Sequence, residues 1–345
     1  MSSCSYFAEI RFFLSAPSLF SYSLTPGSKM VVIQFSAIRN IKDLARNLGA
    51  SVDDIRRFIE TADQGQFYER KMIPKKGRKR RGQFRTVYKA QQDLRVIQKT
   101  ISTAITSQVT FPEYVQGFVH KRSIVTNARI HLSQKFLLHA DIRDFFESIK
   151  TPQVAKSFEP LGCQKEIAYV FSKLCTLNGF LPQGSSASPA LANLVCKHLD
   201  IDLKTLADTH KCKFSRYGDD ITFSGDSLPP TDRVEALLNK HGYELRDGKC
   251  RIQRRGRSQY VTGLTTFDDE RPRISRRIKK RLRLELYYAE RFGLTDHLER
   301  ADWHKSEYAK VKQMNGWISF LYSVEPNKAA AFDRQWRSIL SKWES

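Results

Sequence analysis

Phe214-Ser215-Arg216-Tyr217-Gly218-Asp219-Asp220-Ile221-Thr222-Phe223-Ser224 reads as two β-prone runs that meet at a Gly-Asp-Asp tip. Phe214 and Arg216, then Ile221 and Phe223, alternate as strand residues do, and Gly218 supplies the backbone freedom of a tight turn. The carboxylates of Asp219 and Asp220 are then displayed together. Adjacent carboxylates repel unless a cation lies between them, and hard oxygen donors with no His or Cys nearby select magnesium over zinc. A polar turn joining two strands is the plainer reading of the same residues, so the choice turns on acids elsewhere.

Upstream, Phe136-Leu137-Leu138-His139-Ala140-Asp141-Ile142-Arg143-Asp144-Phe145-Phe146 is an apolar strand that ends on Asp141 before a Phe-Phe pair. Asp141 either caps the following turn or is the third oxygen ligand of a two-magnesium nucleotidyl-transfer site. In such a site one ion activates the attacking 3′ hydroxyl and the other holds the triphosphate and the leaving pyrophosphate. Between the two acidic segments runs Gly179-Phe180-Leu181-Pro182-Gln183-Gly184-Ser185-Ser186-Ala187-Ser188-Pro189, which opens into a helix expected over 190–199. Its small residues and helix start would admit a nucleotide closely; a plain connecting loop would look similar.

The chain's 345 residues, 41% of them hydrophobic, suffice for a sizeable core in two or three subdomains. Lys+Arg 58 against Asp+Glu 36 gives a net charge of +22, with basic residues recurring from Lys71 to Arg283. That excess calls for a polyanionic partner, and nucleic acid fits best. No apolar run is long enough to span a bilayer, and the basic stretches are not gathered on one amphipathic anchor, so no membrane partner is expected. The 6 cysteines form no C-x-x-C pair and have no finger-like His spacing, as reduced thiols of a cytoplasmic protein would. In residues 1–29, Glu9 and Arg11 interrupt the apolar stretch and no basic segment precedes it, so no signal peptide is expected there. That stretch reads as an upstream-start extension or a loosely attached tail, with ordered sequence beginning near Met30-Val31-Val32-Ile33.

Two short helices flank Gly49, the first with Ile38, Ile41, Leu44 and Leu48, the second with Val52, Ile55 and Ile59 after an N-cap at Ser51. A DNA-reading helix-turn-helix would be a separate module, whereas this pair runs straight into Tyr68 and a basic segment. That segment, 71–85, carries Lys75, Lys76, Arg78 and Arg85 among other cations and reads as a basic hairpin or loop directed at phosphate. A helix is expected over 90–105, and another through Asn127-Ala128-Arg129-Ile130-His131. A helix over 275–292 clusters Arg276, Arg277, Lys279, Lys280, Arg281 and Arg283 at its start, suited to gripping an A-form duplex by shape and charge. The closing run 316–324 supplies apolar anchors for a small helical core.

Taken in order, Asp141-Ile142-Arg143-Asp144-Phe145-Phe146, Leu181-Pro182-Gln183-Gly184 with Ser188-Pro189, and Tyr217-Gly218-Asp219-Asp220 resemble the palm motifs of reverse transcriptases. More narrowly, Asn127-Ala128-x-x-His131 and Val261-Thr262-Gly263 resemble the extra motifs of the bacterial retron enzymes, and the likeness spans roughly 36–345. The resemblance implies an α+β right-hand polymerase: an N-terminal extension over 1–35, fingers with N-terminal helices over 36–132, a palm of antiparallel sheet plus helices over 133–264, and a helical basic thumb over 265–345. It implies that Asp141, Asp219 and Asp220 are the catalytic, magnesium-binding acids, two ions being held. Phe146 stands where the family carries its sugar gate, Gln183 would line the nucleotide pocket, Arg85 would neutralise triphosphate charge, and Lys249 falls where the family carries a later palm lysine. Lys75, Lys76, Arg78, Arg276, Arg277 and Lys280 would meet the nucleic acid. Asn127, His131, Val261, Thr262 and Gly263 would belong to retron-specific structure or RNA recognition.

By the same resemblance the enzyme makes DNA from deoxynucleoside triphosphates on its own structured noncoding RNA, primes from a 2′ hydroxyl of that RNA, and serves phage defence with a separate effector protein. One departure stands out. The family commonly has Ala where Gly218 stands, and Tyr-Gly-Asp-Asp is also frequent in RNA-dependent RNA polymerases. Those carry a second acid in the first palm motif, where this chain has Phe145-Phe146, and the aromatic pair favours DNA synthesis. Two further alternatives are another bacterial reverse transcriptase, intron-like or of abortive-infection type, and a noncatalytic RNA-binding scaffold. The intron-like version is disfavoured because no maturase or endonuclease segment is expected after the thumb.

Overall fold

The computed structural model describes residues 33–62, 64–75, 82–248, 250–301, 303–304 and 306–343. The expected extension at 1–29, Cys4, Lys76, Arg78 and Lys249 lie outside the described residues. The fold is α+β, as expected, and it divides into two compact units. Of the described residues, one holds those up to Ser123 together with Gln134–Arg254; the other holds those of Ile124–Ser133 and from Arg255 onward. The units cut the chain at points other than residues 132 and 264, because Ile124–Ser133 packs with segments that follow Arg255.

In the first unit, helices Ile41–Leu48 and Val52–Glu60 stand where the periodicity put them. Asn40 caps the former, leaving Ile38 ahead of it but buried, and the Ser51 hydroxyl accepts from Asp54 N at the start of the latter. The basic segment is a hairpin of β1 (Tyr68–Pro74) and β2 (Phe84–Ala90), paired from Tyr68↔Ala90 to Pro74↔Phe84. Ala90 is taken up in that pairing, so the following helix runs Gln92–Gln108 rather than from residue 90. Its Leu94, Ile97, Ile101 and Ile105 stripe is buried, as the spacing requires.

The sheet that matters for function has the order β4-β5-β3-β6 and is antiparallel throughout, with β3 (Phe136–Asp141), β4 (Lys213–Tyr217), β5 (Asp220–Gly225) and β6 (Arg251–Arg254). Leu138 opposes Phe223 and Ala140 opposes Ile221, and these four join one apolar core with the helices Gln92–Gln108, Lys165–Cys175 and Ser188–Val195. The single helix expected over 190–199 is instead two, Ser188–Val195 and Lys197–Thr209, which meet at Cys196. Pro189 suits a first helical turn, which moves the start earlier, and Cys196 caps the first piece before the second begins. Cys163, Cys175, Cys196, Cys212 and Cys250 are all free thiols.

In the second unit, helix Ile124–Ile130 packs with a three-stranded antiparallel sheet of β7 (Tyr260–Val261), β8 (Leu264–Thr265) and β9 (Arg273–Ile274). Four helices follow: Arg276–Phe292 with Ser275 as N-cap, Leu294–Arg300, Glu307–Val324 and Pro326–Trp343. Leu282, Leu286, Trp317, Leu321, Phe332 and Trp336 are buried among the apolar residues of these helices. None of the helices in the described residues is long and apolar enough to cross a membrane.

Candidate active site

Strand register brings the three acids together. Asp141 ends β3 directly opposite Asp220, which opens β5, and Tyr217 ends β4 opposite the same Asp220. Gly218 and Asp219 are therefore the two loop residues of the β4–β5 hairpin. Gly218 takes φ +65°, the positive angle that the first loop position of such a turn requires. Two backbone bonds fix Asp141 and Asp219 against each other and the neighbouring chain: Ile142 N donates to Asp219 O at 3.0 Å, and Arg246 N donates to Asp141 O at 2.8 Å. The Asp141 side chain is 9% exposed, that of Asp219 45%. Burial, helped by the Asp220 carboxylate, pushes the Tyr217 phenol up to about 12.

The positive charge facing this cluster comes from Arg246, whose Nη1 lies 2.7 Å from Asp141 Oδ1 and 4.0 Å from Asp219 Oδ2. Arg143 braces the same stretch, pairing with Glu244 at 2.9 Å and Asp247 at 2.6 Å. Among the described residues no three His, Cys, Asp or Glu side chains are arranged ready to hold a metal. The chemistry of the donor set nonetheless fits a hard divalent cation, being carboxylate oxygen alone, and the guanidinium shows that the cluster draws a cation.

Arg216, read from sequence only as a strand residue, turns out to hold the hairpin from behind. Its side chain is fully buried. Nε and Nη2 grip Asp200 Oδ1 and Oδ2 at 2.5 and 2.7 Å, Nη2 reaches Asn193 Oδ1 at 3.1 Å, and Nη1 donates to Gly218 O at 3.1 Å. Burial alone would lower its pKa, but the Asp200 carboxylate outweighs that and holds the guanidinium charged. A second chain segment straps the same turn: Arg216 N donates to Tyr114 O, and Gln116 N and Gly117 N donate to Arg216 O. Here two backbones nearly touch, since a Cβ on Gly117 would lie 2.4 Å from Gly218 N. The signal for Arg216 was present in sequence as a lone cation in an apolar strand. Gly117 and Phe118 gave no such signal.

Of the remaining expected residues, Phe146 is half-buried on the short helix Phe145–Ser148 that follows β3, its ring 5.3 Å from that of the buried Phe145. The Gln183 loop lies along β2, with Tyr88 N donating to Gln183 O at 2.8 Å, and Arg85 lies three residues earlier on the same strand. Ser185 and Ser188 pin that loop through Gln98 Oε1 and Pro182 O, both at 2.8 Å. Lys75 stands just past β1, where its N donates to Gln83 O.

In the second unit Arg276, Arg277 and Lys280 are exposed at the start of their helix. There, too, the two sequence-distant extra motifs come together. Asn127, His131 and Val261 are buried, Thr262 and Gly263 form the β7–β8 turn, and Thr262 Oγ1 donates to Ile124 O at 3.1 Å. Ser133 N donates to Thr266 O at 3.0 Å, completing the junction.

An antiparallel sheet that brings Asp141, Asp219 and Asp220 to one end, with an aromatic pair directly after β3, fits a template-copying nucleotidyltransferase. Residues 73–277 match the family model described as reverse transcriptase (RNA-dependent DNA polymerase), and the chain belongs to that family as an RNA-directed DNA polymerase of the retron type. It is 28% identical over 292 residues to the retron Ec86 reverse transcriptase of Escherichia coli, covering 84% of this chain and 85% of that protein. The retron Mx65 reverse transcriptase of Myxococcus xanthus is 31% identical over 286 residues, covering 74% of this chain and 66% of its own. Retron Mx162 reverse transcriptase, also from Myxococcus xanthus, is 27% identical over 327 residues, covering 84% and 64%.

Proposed function

We propose that the chain copies a structured noncoding RNA, its own template and primer, into DNA, with Asp141, Asp219 and Asp220 as the catalytic acids. The observation that carries this reading is the register pairing of Asp141 with Asp220 beside the Asp219 turn, which assembles carboxylates from segments far apart in sequence. Those acids would hold two magnesium ions, which supply activation of the 3′ hydroxyl and charge neutralisation at the leaving pyrophosphate. The chain's own residues then position the reactants. Phe146 would pack on the sugar of the incoming nucleotide and reject a ribose 2′ hydroxyl. Gln183, bonded to β2 at Tyr88, would meet the nucleotide, Arg85 of the same strand would meet its triphosphate, and Lys249 would serve the later palm position.

In right-hand terms, the β1–β2 hairpin belongs to fingers, where Lys75, and by sequence Lys76 and Arg78, would meet nucleic acid, the four-stranded sheet to the palm, and the helix bearing Arg276, Arg277 and Lys280 to a thumb that grips duplex phosphates. Burial of Asn127 and His131 favours a structural role for the extra motifs, shaping the β7–β8 turn at Thr262 and Gly263 rather than touching RNA through their own side chains. Priming from an RNA 2′ hydroxyl, a separate effector protein, a role in phage defence and a cytoplasmic location complete the reading.

Primer extension on an RNA template with magnesium and deoxynucleotides tests it. Wild type is expected to make DNA, and Asp219→Ala to bind RNA equally while making none. A wild-type protein without DNA synthesis would leave only the RNA-binding scaffold. For the retron reading, one abundant structured RNA-DNA species should copurify with the protein, and its absence would count against a cognate RNA.

A further inference from the structure

Phe118 has no part in the acid cluster or in the pocket assigned above, yet the fold presents it at a cost. It sits at φ +62°, a left-handed conformation that strains a non-glycine residue. Its side chain is also 40% exposed. A strained, half-exposed aromatic ring is not explained by core filling, and such residues cluster at ligand sites. Its neighbours leave it no choice of place. Gln116 N and Gly117 N are bonded to Arg216 O at 2.7 and 3.3 Å, Asn193 Nδ2 donates to Gly117 O at 2.8 Å, and Gly117 abuts the turn.

The ring lies against two residues of the site. A Cβ on Gly218 would meet Phe118 Cε2 and Cζ at 3.3 Å, so the edge of the ring takes up the space an alanine methyl would need. The Phe118 and Phe146 centroids are 6.0 Å apart at 43°, and Phe146 continues to Phe145 at 5.3 Å. Three rings thus form a row that starts over the catalytic turn and ends in the core.

From this arrangement we infer that Phe118 is a second ring of the nucleotide gate: it backs Phe146, limits how far that ring can yield to a ribose 2′ hydroxyl, and so sets the preference for deoxynucleotides. Gly218 is then the residue that leaves room for it. The inference rests on the gate reading of Phe146. It also gives the Tyr-Gly-Asp-Asp tip a role in DNA synthesis, in a chain where that tip alone would fit an RNA-making enzyme.

Single-nucleotide extension, measured with a deoxynucleotide and the matching ribonucleotide, reads the ratio of the two kcat/KM values. That ratio does not depend on the folded fraction of a preparation. Phe118→Leu is expected to lower the deoxy-to-ribo ratio about tenfold, chiefly through a lower ribonucleotide KM. Gly218→Ala acts through the same ring, so its effect on the ratio should vanish in the Phe118→Leu background instead of adding to it. If Phe118→Leu keeps the wild-type ratio while Phe146→Val loses it, the role of Phe118 is overturned and the gate stands. If Phe146→Val keeps the ratio, the gate reading falls and the inference with it. An undiminished effect of Gly218→Ala in the Phe118→Leu background would also overturn the coupling of the two residues.

Discussion

Arg246 lays one guanidinium across Asp141 and leaves it within 4.0 Å of Asp219, so a cation arriving at these carboxylates has a competitor already in place. A partly exposed pair of this kind is worth about 1 kcal/mol, or roughly a fivefold difference in cation affinity. In Arg246→Gln, the magnesium concentration that gives half of the metal-induced rise in melting temperature should therefore fall about fivefold, with the metal-free protein melting lower than wild type. An unchanged magnesium midpoint would mean that the guanidinium does not compete. Asp141 stood out because it ends an apolar run, where a carboxylate needs a reason, and Asp219 and Asp220 because two β-prone runs meet at them. Arg246 was not, since Glu244-Leu245-Arg246-Asp247 looks like solvated surface until Arg246 N is seen bonded to Asp141 O. Phe118 was illegible for the same reason, its meaning lying in a φ angle and in a neighbour, Gly218, far along the chain.

Two helices and a hairpin depend on the Arg216–Asp200 pair, because the guanidinium joins the Lys197–Thr209 helix, Asn193 of the Ser188–Val195 helix and the Gly218 carbonyl. Removing one partner strands the other charge in the core. Arg216→Ala should cost about 3–5 kcal/mol in urea unfolding, and Arg216→Lys should recover only part of that, since an ammonium cannot make the two-pronged contact. Full recovery by lysine would make charge, not geometry, the decisive factor. In the helical unit, Glu285 is caught between Lys310 at 2.7 Å and His297 at 3.0 Å. Burial would raise its pKa, but Lys310 and then His297 outweigh that and hold the carboxyl below its ordinary value of 4.5. A depressed carboxylate contributes stability above its unfolded pKa and loses it as pH falls through the folded one. The unfolding midpoint of wild type should thus drop more than that of Glu285→Gln as pH is taken below about 4.5, and parallel curves would refute the pairing. At this scale the helices were readable from apolar periodicity, while the start at Gln92 was set by strand pairing that no local pattern records, and the break at Cys196 left no mark in the periodicity.

Across the whole molecule the charge of +22 is expected to make binding to RNA steeply salt dependent, because each neutralised phosphate releases counterions. Replacing Arg276, Arg277 and Lys280 by alanine should weaken RNA binding and flatten the slope of log affinity against log salt by about 0.7–0.9 for each phosphate left without its cation. An unchanged slope would move the RNA-binding surface elsewhere. The charge excess was plain in composition, but which cations share one helix face became visible only with the helix. The helical unit has one more property, and it concerns the order in which the protein comes into being. Ile124–Ser133 finds partners at Thr262, Thr266 and Arg255, all of which leave the ribosome only after the strands that carry the acids have been made. The sheet with the acids can close while that short helix still waits, so a later-made part of the chain commits the middle to its final place, and a chain released at Arg254 would lack these three partners.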